Sequence, residues 1–373
     1  FMRMCNDGWL QGWHERNGGN LTYRMKEEEV AQCRPFFDPQ PREWVNMGVQ
    51  AGNLAGEYFI TTGSGKFFRN VEPDPVHSIG IVEINDKGDS WRIVWGLEGG
   101  AKPTSEFPSH FMNHSVRKAA TNGANRVIYH CHATNVIALT YILPLTDRDF
   151  TRALWQSATE CPVVFPEGVG VCPWMVPGGA DIAMATSELM KTYQAAIWAQ
   201  HGLFASGPDF DITFGLAHTI EKSAEIYVKV LSMGGGIIRQ TITDDDLRAI
   251  ARDFGVTLNE SFSTKEQNME HMAWKGRIKP GCKAEYQKRH AEIWPEMVKV
   301  LKDAGICNYS IFYCNDELFG YYECEKGVAY AEKVQAESPV VDRWNAYMKD
   351  ILELEMDPVT GAQPKLEQVF RLN

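Results

Sequence analysis

The stretch Val127-Ile128-Tyr129-His130-Cys131-His132-Ala133-Thr134 decides how this chain folds. Its first half reads as a buried strand, because branched and aromatic residues follow Asn125 and a polar turn comes after. A strand turns alternate side chains to one face, so His130 and His132 share a face and Cys131 takes the other. Two imidazoles fixed in this way can share a metal ion at about 2.0–2.1 Å each, and a catalytic zinc needs three protein ligands with a fourth position open. The pair alone is not specific, since histidines on a strand also pack or hydrogen-bond in a core.

The neighbouring stretches extend the picture. Ala195 to Gln200 reads as another buried strand that delivers His201-Gly202 at its C-terminal end, a place well suited to chemistry. In Pro103-Thr104-Ser105-Glu106, Thr104 or Ser105 caps a helix running to about Thr121, with Glu106 in its first turn. The plain role of an acid there is to complement the helix dipole. Tyr58 to Thr62 is a strand, and Gly63-Ser64-Gly65-Lys66 after it would let an anion approach the backbone, although the spacing is not that of a Walker loop. Asn17-Gly18-Gly19-Asn20 ends a helix and leads into a strand from Leu21 to Met25. It is either a simple turn or a second set of N–H groups for an anion.

The rest of this half alternates. Ile79–Ile84 and Trp91–Trp95 make a hairpin. Helices are expected near Thr134–Ile142, Asp149–Thr159 and Asp181–Tyr193. Thr159 to Phe165 leads from helix into strand. Asp209 opens a long helix that stops at Gly234–Gly236, and Thr243 or an early Asp after it caps one more. The expectation is an α/β domain over 1–258, a polar linker over 259–271, and a smaller α+β unit over 272–373. That last unit reads as a strand near Ala273–Ile278, a helix from Gly281 to Ala304, and strands at Asn308–Cys314 and Leu318–Glu323. Helices near Val328–Glu337 and Pro339–Leu352 and a closing strand near Leu366–Leu372 complete it.

Composition removes other classes. At 373 residues, with 44% hydrophobic and 23% charged residues, the chain is expected to be a soluble protein with a large core. A formal charge of −11 without a basic cluster argues against nucleic acid and anionic membranes as partners. No window approaches the roughly 18 apolar residues of a membrane span. The chain begins at Phe1 with too short an apolar run for a signal peptide, and its natural start is expected upstream. Nine scattered cysteines without a Cys-x-x-Cys speak against a disulfide framework and for a reducing, cytoplasmic setting.

The quoted runs, in order, resemble the L-rhamnulose-1-phosphate aldolases of the class II aldolase/adducin family. Thr159-Glu160-Cys161 and Thr134-Asn135 add to the match, which covers about residues 1 to 258. The resemblance implies a class II aldolase-type sheet with helices on both faces. It implies one Zn2+ per chain on His130, His132 and His201, and Glu106 as acid/base. Asn17, Asn20, Ser64, Gly65, Thr104 and Ser105 would surround the substrate phosphate, and Glu160 would act near the site across a subunit contact. A homo-oligomer, a tetramer for this part, is implied as well.

Residues 272–373 resemble the L-rhamnose mutarotases through Glu285-Tyr286-Gln287-Lys288-Arg289-His290, Ile293-Trp294-Pro295-Glu296, Asn308-Tyr309-Ser310-Ile311 and Arg343-Trp344. That implies a small ferredoxin-like unit with His290 as proton donor and Tyr286, Tyr309 and Trp344 around a sugar. Asn345 departs from the second tryptophan of many relatives, and Lys275 and Arg277 make the first strand unusually polar. The expected substrates are a sugar and a sugar phosphate. The competing expectations are a sugar-phosphate 4-epimerase of the same superfamily, a metal-free adducin-like module, and a C-terminal unit that only dimerises.

Overall fold

The computed structural model describes residues 1–262, 270–353 and 365–370. They divide into two units, Phe1–Ser263 and Thr264–Asn373. Among the described residues no helix is long and apolar enough to cross a membrane.

In the first unit, nine strands form one sheet: β1 Asn20–Arg24, β2 Val45–Asn46, β3 Tyr58–Thr62, β4 Ile79–Ile84, β5 Ser90–Gly96, β6 Val127–Cys131, β7 Gly170–Cys172, β8 Ala195–Trp198 and β9 Gly202–Gly207. Their order is β2-β5-β4-β3-β1-β6-β9-β8-β7, with only β7 and β8 parallel. The helices are α1 Met2–Leu10, α2 Glu27–Cys33, α3 Pro75–Ser78, α4 Phe107–Ala120, α5 Thr134–Leu139, α6 Asp147–Trp155, α7 Cys161–Val164, α8 Ala180–Leu189, α9 Phe210–Met233 and α10 Asp244–Phe254.

Strand β6 lies between β1 and β9, and every one of its residues is buried. Val127, Tyr129 and Cys131 join a core with Leu216, Ala217 and Ile220 of α9, whereas Ile128 packs with Ile182 of α8, Trp198 and Phe204. Helices thus cover both faces, which is why β6 is almost wholly apolar and lacks alternation. The register sets Asn20 opposite His130 on one side and Phe204 on the other.

Several boundaries differ from expectation, each for a local reason. Helix α1 ends at Leu10, before Gly12 at φ +78°, and not at Gly18. Thr159–Phe165 enters the short helix α7, with Pro162 in its first turn, and the strand comes later as β7. Glu106 itself occupies the N-cap of α4, and Thr104 Oγ1 accepts its N–H at 3.3 Å, so neither Thr104 nor Ser105 is the cap. Asp209 and Thr243 do cap α9 and α10. At the expected linker, Asn259 N–H donates to Pro166 O at 2.9 Å and Phe262 is buried against Trp155 and Tyr193, so the stretch begins as part of the first unit. Residues 263–269 of it lie outside the described residues, and Glu270 opens a strand.

The second unit has β10 Glu270–Ile278, α11 Lys283–Ala291, α12 Pro295–Asp303, β11 Ile306–Cys314, β12 Glu317–Cys324, α13 Val328–Ala336, α14 Pro339–Met348 and β13 Leu352–Glu353. Its antiparallel sheet has the order β11-β12-β10-β13, the split βαβ pattern of a ferredoxin-like fold. The single helix expected from Gly281 to Ala304 is two, because Pro295 starts a new one. Among the described residues the last strand is β13, and 366–370 forms none: just before it Lys365 bridges to Trp274, and Leu366 N–H donates to Ala273 O at 2.8 Å, while 371–372 lie outside the described residues. The polar side of β10 is explained by Glu317, which pairs with Lys275 at 2.8 Å and Arg277 at 3.4 Å.

Candidate metal centre and a second, sugar-sized cavity

His130 is the penultimate residue of β6, a fully buried ring stacked on Phe204 at 4.3 Å. His132 lies just past the strand end, tied back by its N–H to Trp13 O at 3.0 Å. Its ring fills the space over Gly18, where a Cβ would come within 2.8 Å of it. His201 comes from the tight β8–β9 connection, where Gln200 takes φ +55°. Thr140 holds that left-handed residue, with Oγ1 accepting Gln200 N–H at 3.0 Å and its carbonyl accepting Nε2 at 3.0 Å.

These segments bring one ligand atom from each of His130, His132 and His201 within 4.8 Å of one another. His130 Nδ1 donates to Leu203 O at 3.2 Å, which fixes its proton there and aims the Nε2 lone pair at His201 Nε2, 3.4 Å away. His132 Nδ1 meets Glu15 Oε1 at 2.6 Å. Rings anchored through one nitrogen and convergent through the other are what a metal ion requires. Burial holds His130 well below the usual histidine range and pushes His201 down to about 4, so neither carries a proton that would repel a cation. The three residues therefore fit a metal ion.

Glu106 lies beside them, with Oε2 at 3.7 Å from His130 Nε2. Burial pushes its carboxyl up, opposed by Asn20 Nδ2, which donates to Oε2 at 2.7 Å. The Gly63–Lys66 turn and the run before α4 are joined by a bridge between Gly63 and Pro103, by Ser64 N–H to Lys102 O at 2.9 Å, and by Thr104 N–H to Thr62 O at 2.9 Å. Ser64, Gly65, Thr104 and Ser105 thus sit side by side, with Ser64, Gly65, Ser105 and Asn17 exposed. Glu160 is exposed at the N-cap of α7 and is not joined to the histidines by any hydrogen bond or ion pair among the described residues.

Three supports escaped the sequence reading. Glu15 is one. Glu221, reaching from α9, accepts Asn135 N–H at 3.0 Å, Asn135 Nδ2 at 2.8 Å and Val136 N–H at 3.0 Å, and so caps the helix that follows His132 directly. His110 and His114 with Thr22 are the third, joined to Asn20 in one file. The four-residue spacing of Glu106, His110 and His114 was a readable signal; nothing local pointed to Glu221.

In the second unit a cavity of about 400 Å³ is lined by Tyr286, His290, Tyr309, Trp344 and, at the departing position, Asn345. Tyr286 and His290 are one helical turn apart with ring centroids 4.2 Å apart, and Trp344 meets His290 edge-on at 5.6 Å. His290 Nδ1 donates to Tyr286 O at 3.1 Å, and burial lowers its pKa. Trp274 Nε1 donates to Tyr309 Oη at 3.2 Å, leaving that hydroxyl's own proton free.

Comparison with known proteins follows this division. The family description "Class II Aldolase and Adducin N-terminal domain" matches residues 1–228, and "L-rhamnose mutarotase" matches residues 271–372. A rhamnulose-1-phosphate aldolase of Escherichia coli O157:H7 is 51% identical over 256 residues, which is 69% of this chain and 92% of that protein. The crystal structure of a sugar-phosphate aldolase from Thermotoga maritima matches with 25% identity and a TM-score of 0.52, covering 62% of this chain and 94% of the other. An L-rhamnose mutarotase from Formosa agariphila is 31% identical and covers 28% of this chain and 99% of its own, with a TM-score of 0.24. The chain belongs to the class II aldolase and adducin family. It is an enzyme that joins an aldolase domain, with rhamnulose-1-phosphate aldolases among its relatives, to a C-terminal L-rhamnose mutarotase domain.

Proposed function

We propose that the first unit reversibly cleaves L-rhamnulose 1-phosphate to dihydroxyacetone phosphate and L-lactaldehyde, and that the second interconverts the anomers of L-rhamnose. The observation that carries the first half is the convergence of three imidazole nitrogens beside one buried carboxyl. The name of the 51%-identical relative supports the choice of substrate over a sugar-phosphate 4-epimerase. A zinc ion on His130, His132 and His201 would supply Lewis-acid stabilisation of the charge that develops at the substrate's C2 oxygen. Neutral imidazoles add no negative charge to oppose that task.

The chain's own groups do the remaining work. Glu106 exchanges the proton at C3 as the C3–C4 bond breaks or forms, while Asn20 holds its Oε2. Ser64, Gly65, Thr104, Ser105 and Asn17 hold the phosphate, so that binding fixes the position of the reacting carbons. In this reading Asn20 serves the carboxylate first and the phosphate second. Glu160 reaches the site of a neighbouring copy in a homo-oligomer.

In the second unit, neutral His290 takes the anomeric hydroxyl proton on Nε2 and returns it to the ring oxygen. The ring opens, C1–C2 rotates, and closure gives the other anomer. Tyr286, Tyr309 and Trp344 cover the sugar's apolar face. The test combines metal analysis, lactaldehyde release from rhamnulose 1-phosphate and anomer exchange of rhamnose by NMR. The expected result is about one zinc per chain with both activities. Metal-loaded protein that isomerises a sugar phosphate and releases no aldehyde would replace the aldolase reading by the epimerase.

A further inference from the structure

Helix α4 and strand β1 carry two patterns of equal pitch. Glu106, His110 and His114 lie four apart on the helix, and Asn20 and Thr22 lie two apart on the strand. Four helical residues advance about 6 Å and two strand residues about 6.6 Å, so the two rows interleave over several rungs without losing register. The contacts follow that order. Asn20 Nδ2 lies 2.7 Å from Glu106, and Asn20 Oδ1 contacts His110 Nε2 closely. Thr22 Oγ1 lies 2.8 Å from His110 Nδ1 and 2.8 Å from His114 Nε2. All four of Asn20, Thr22, His110 and His114 are at most 5% exposed.

The chemistry of these groups allows one direction of donation while Glu106 is ionised. A carboxylate only accepts, so the amide turns its NH2 to Glu106 and its oxygen to His110. His110 must then carry its proton on Nε2 and accept at Nδ1. The Thr22 hydroxyl spends its one proton on Nδ1, and its oxygen accepts from His114 Nε2. Each group has one correct orientation, set by the group behind it. Packing alone does not call for this file, because His110 and His114 lie edge-on or tilted against Phe204 and Phe59 in a site that phenylalanine-like rings already fill. Burying four polar side chains there stabilises the fold only if all are paired.

We propose that Thr22, His110 and His114 form a buried relay that locks the Asn20 amide as a donor to Glu106, which makes them positioning residues for proton exchange at the substrate carbon. The inference rests on Glu106 as the acid/base. Without the relay, Asn20 is free to flip and present its carbonyl oxygen to the carboxylate, and Glu106 turns away from its aim.

The test uses full-length, zinc-loaded chain with Thr22→Val, Thr22→Ser and Glu106→Gln. Zinc content, KM and kcat for cleavage, and deuterium exchange into dihydroxyacetone phosphate are measured. Thr22→Val keeps shape and loses the hydroxyl. It should keep zinc and KM within about twofold, while kcat and exchange fall together about 10- to 100-fold, the scale of a small misplacement of a reacting group. Thr22→Ser should restore most of both. If Glu106→Gln is silent and Thr22→Val exchanges at the wild-type rate, the relay is refuted and the acid/base stands. If Glu106→Gln exchanges at the wild-type rate, the acid/base reading falls first. Should Thr22→Val fail to fold, long-range 1H–15N spectra of the wild-type chain decide: His110 and His114 as Nε2–H tautomers support the relay, and His110 as the Nδ1–H tautomer overturns it.

Discussion

Replacing Glu221 by alanine should loosen the metal centre from a distance. Glu221 is not hydrogen-bonded to any of the three histidines, yet its carboxylate holds the second and third backbone N–H groups of α5, the helix that starts two residues after His132. Helix starts leave such N–H groups without internal partners, and here Val136 is fully buried, so water does not replace the lost acceptor. An unpaired buried N–H costs about 1–3 kcal/mol, which bounds the loss for buried Val136 and half-buried Asn135 together at about 2–6 kcal/mol, nearer the lower end because water still reaches Asn135. Burial raises the Glu221 carboxyl pKa, so removing it also relieves a desolvated charge. The net loss should therefore fall in the lower part of that range, about 2–4 kcal/mol. For a unit of this size that is a melting temperature lower by roughly 4–16 °C. Glu221→Gln keeps one carbonyl acceptor and should lose about half as much. The assay is urea or thermal unfolding of the zinc-loaded protein, with metal content measured in parallel. Zinc affinity should fall with stability, because α5 fixes the backbone that carries His132. An alanine variant within about 1 kcal/mol of wild type, with full zinc, would show that Glu221 is not what orients this ligand.

Three further outcomes follow from the two sites. His201→Ala should lose both metal and cleavage, and a chelator applied to the wild-type chain should abolish cleavage while leaving anomer exchange intact; a variant with full metal content would refute the ligand set. Glu106→Gln should keep zinc and substrate binding but lose deuterium exchange into dihydroxyacetone phosphate by about 10²–10⁴-fold; wild-type exchange would reduce Glu106 to a helix cap. For His290 the pKa is lowered by burial, so the ring is neutral across the neutral range. Anomer exchange should be flat there and fall as pH drops through that lowered pKa, where Nε2 becomes protonated; a rate that rises with acidification would mean that the imidazolium is the working form.

Much of this was legible because local pattern and global fold agree. β6 could be read from its composition alone, and with it the shared side of His130 and His132. Asp209 and Thr243 announced their helices by side-chain capping. Failures fell where tertiary contacts decide. Phe262 looked like one apolar residue in a polar linker, and only the pocket formed by Trp155 and Tyr193 makes it core. The split of α11 from α12 is written in Pro295, which opens the second helix. Glu221 lies 86 positions from the residue it caps, a pairing that no sequence window contains. The His110–Thr22–His114 file stood in plain sight as two spacings, but each spacing has meaning only once β1 and α4 are known to face each other.

Among the described residues, the two proposed sites belong to separate packed clusters. The histidines, Glu106 and their supports all lie within Phe1–Ser263, whose apolar residues form their own packed clusters. His290, Tyr286, Tyr309 and Trp344 lie within the second unit, where Tyr286 and Trp344 belong to a separate cluster with Trp274, Met297 and Tyr322. The demands of the two reactions differ in the same way. In the proposed reading, breaking a carbon–carbon bond needs a cation to hold developing charge, and the first unit offers three convergent histidines for it. Opening a hemiacetal needs only a proton moved between two oxygens on one carbon. In the proposed reading the second unit supplies His290, fixed at Nδ1 by a backbone carbonyl, for that transfer. A substitution that unpacks one cluster should therefore leave the other proposed activity in place, because each cluster is built from described residues of its own unit.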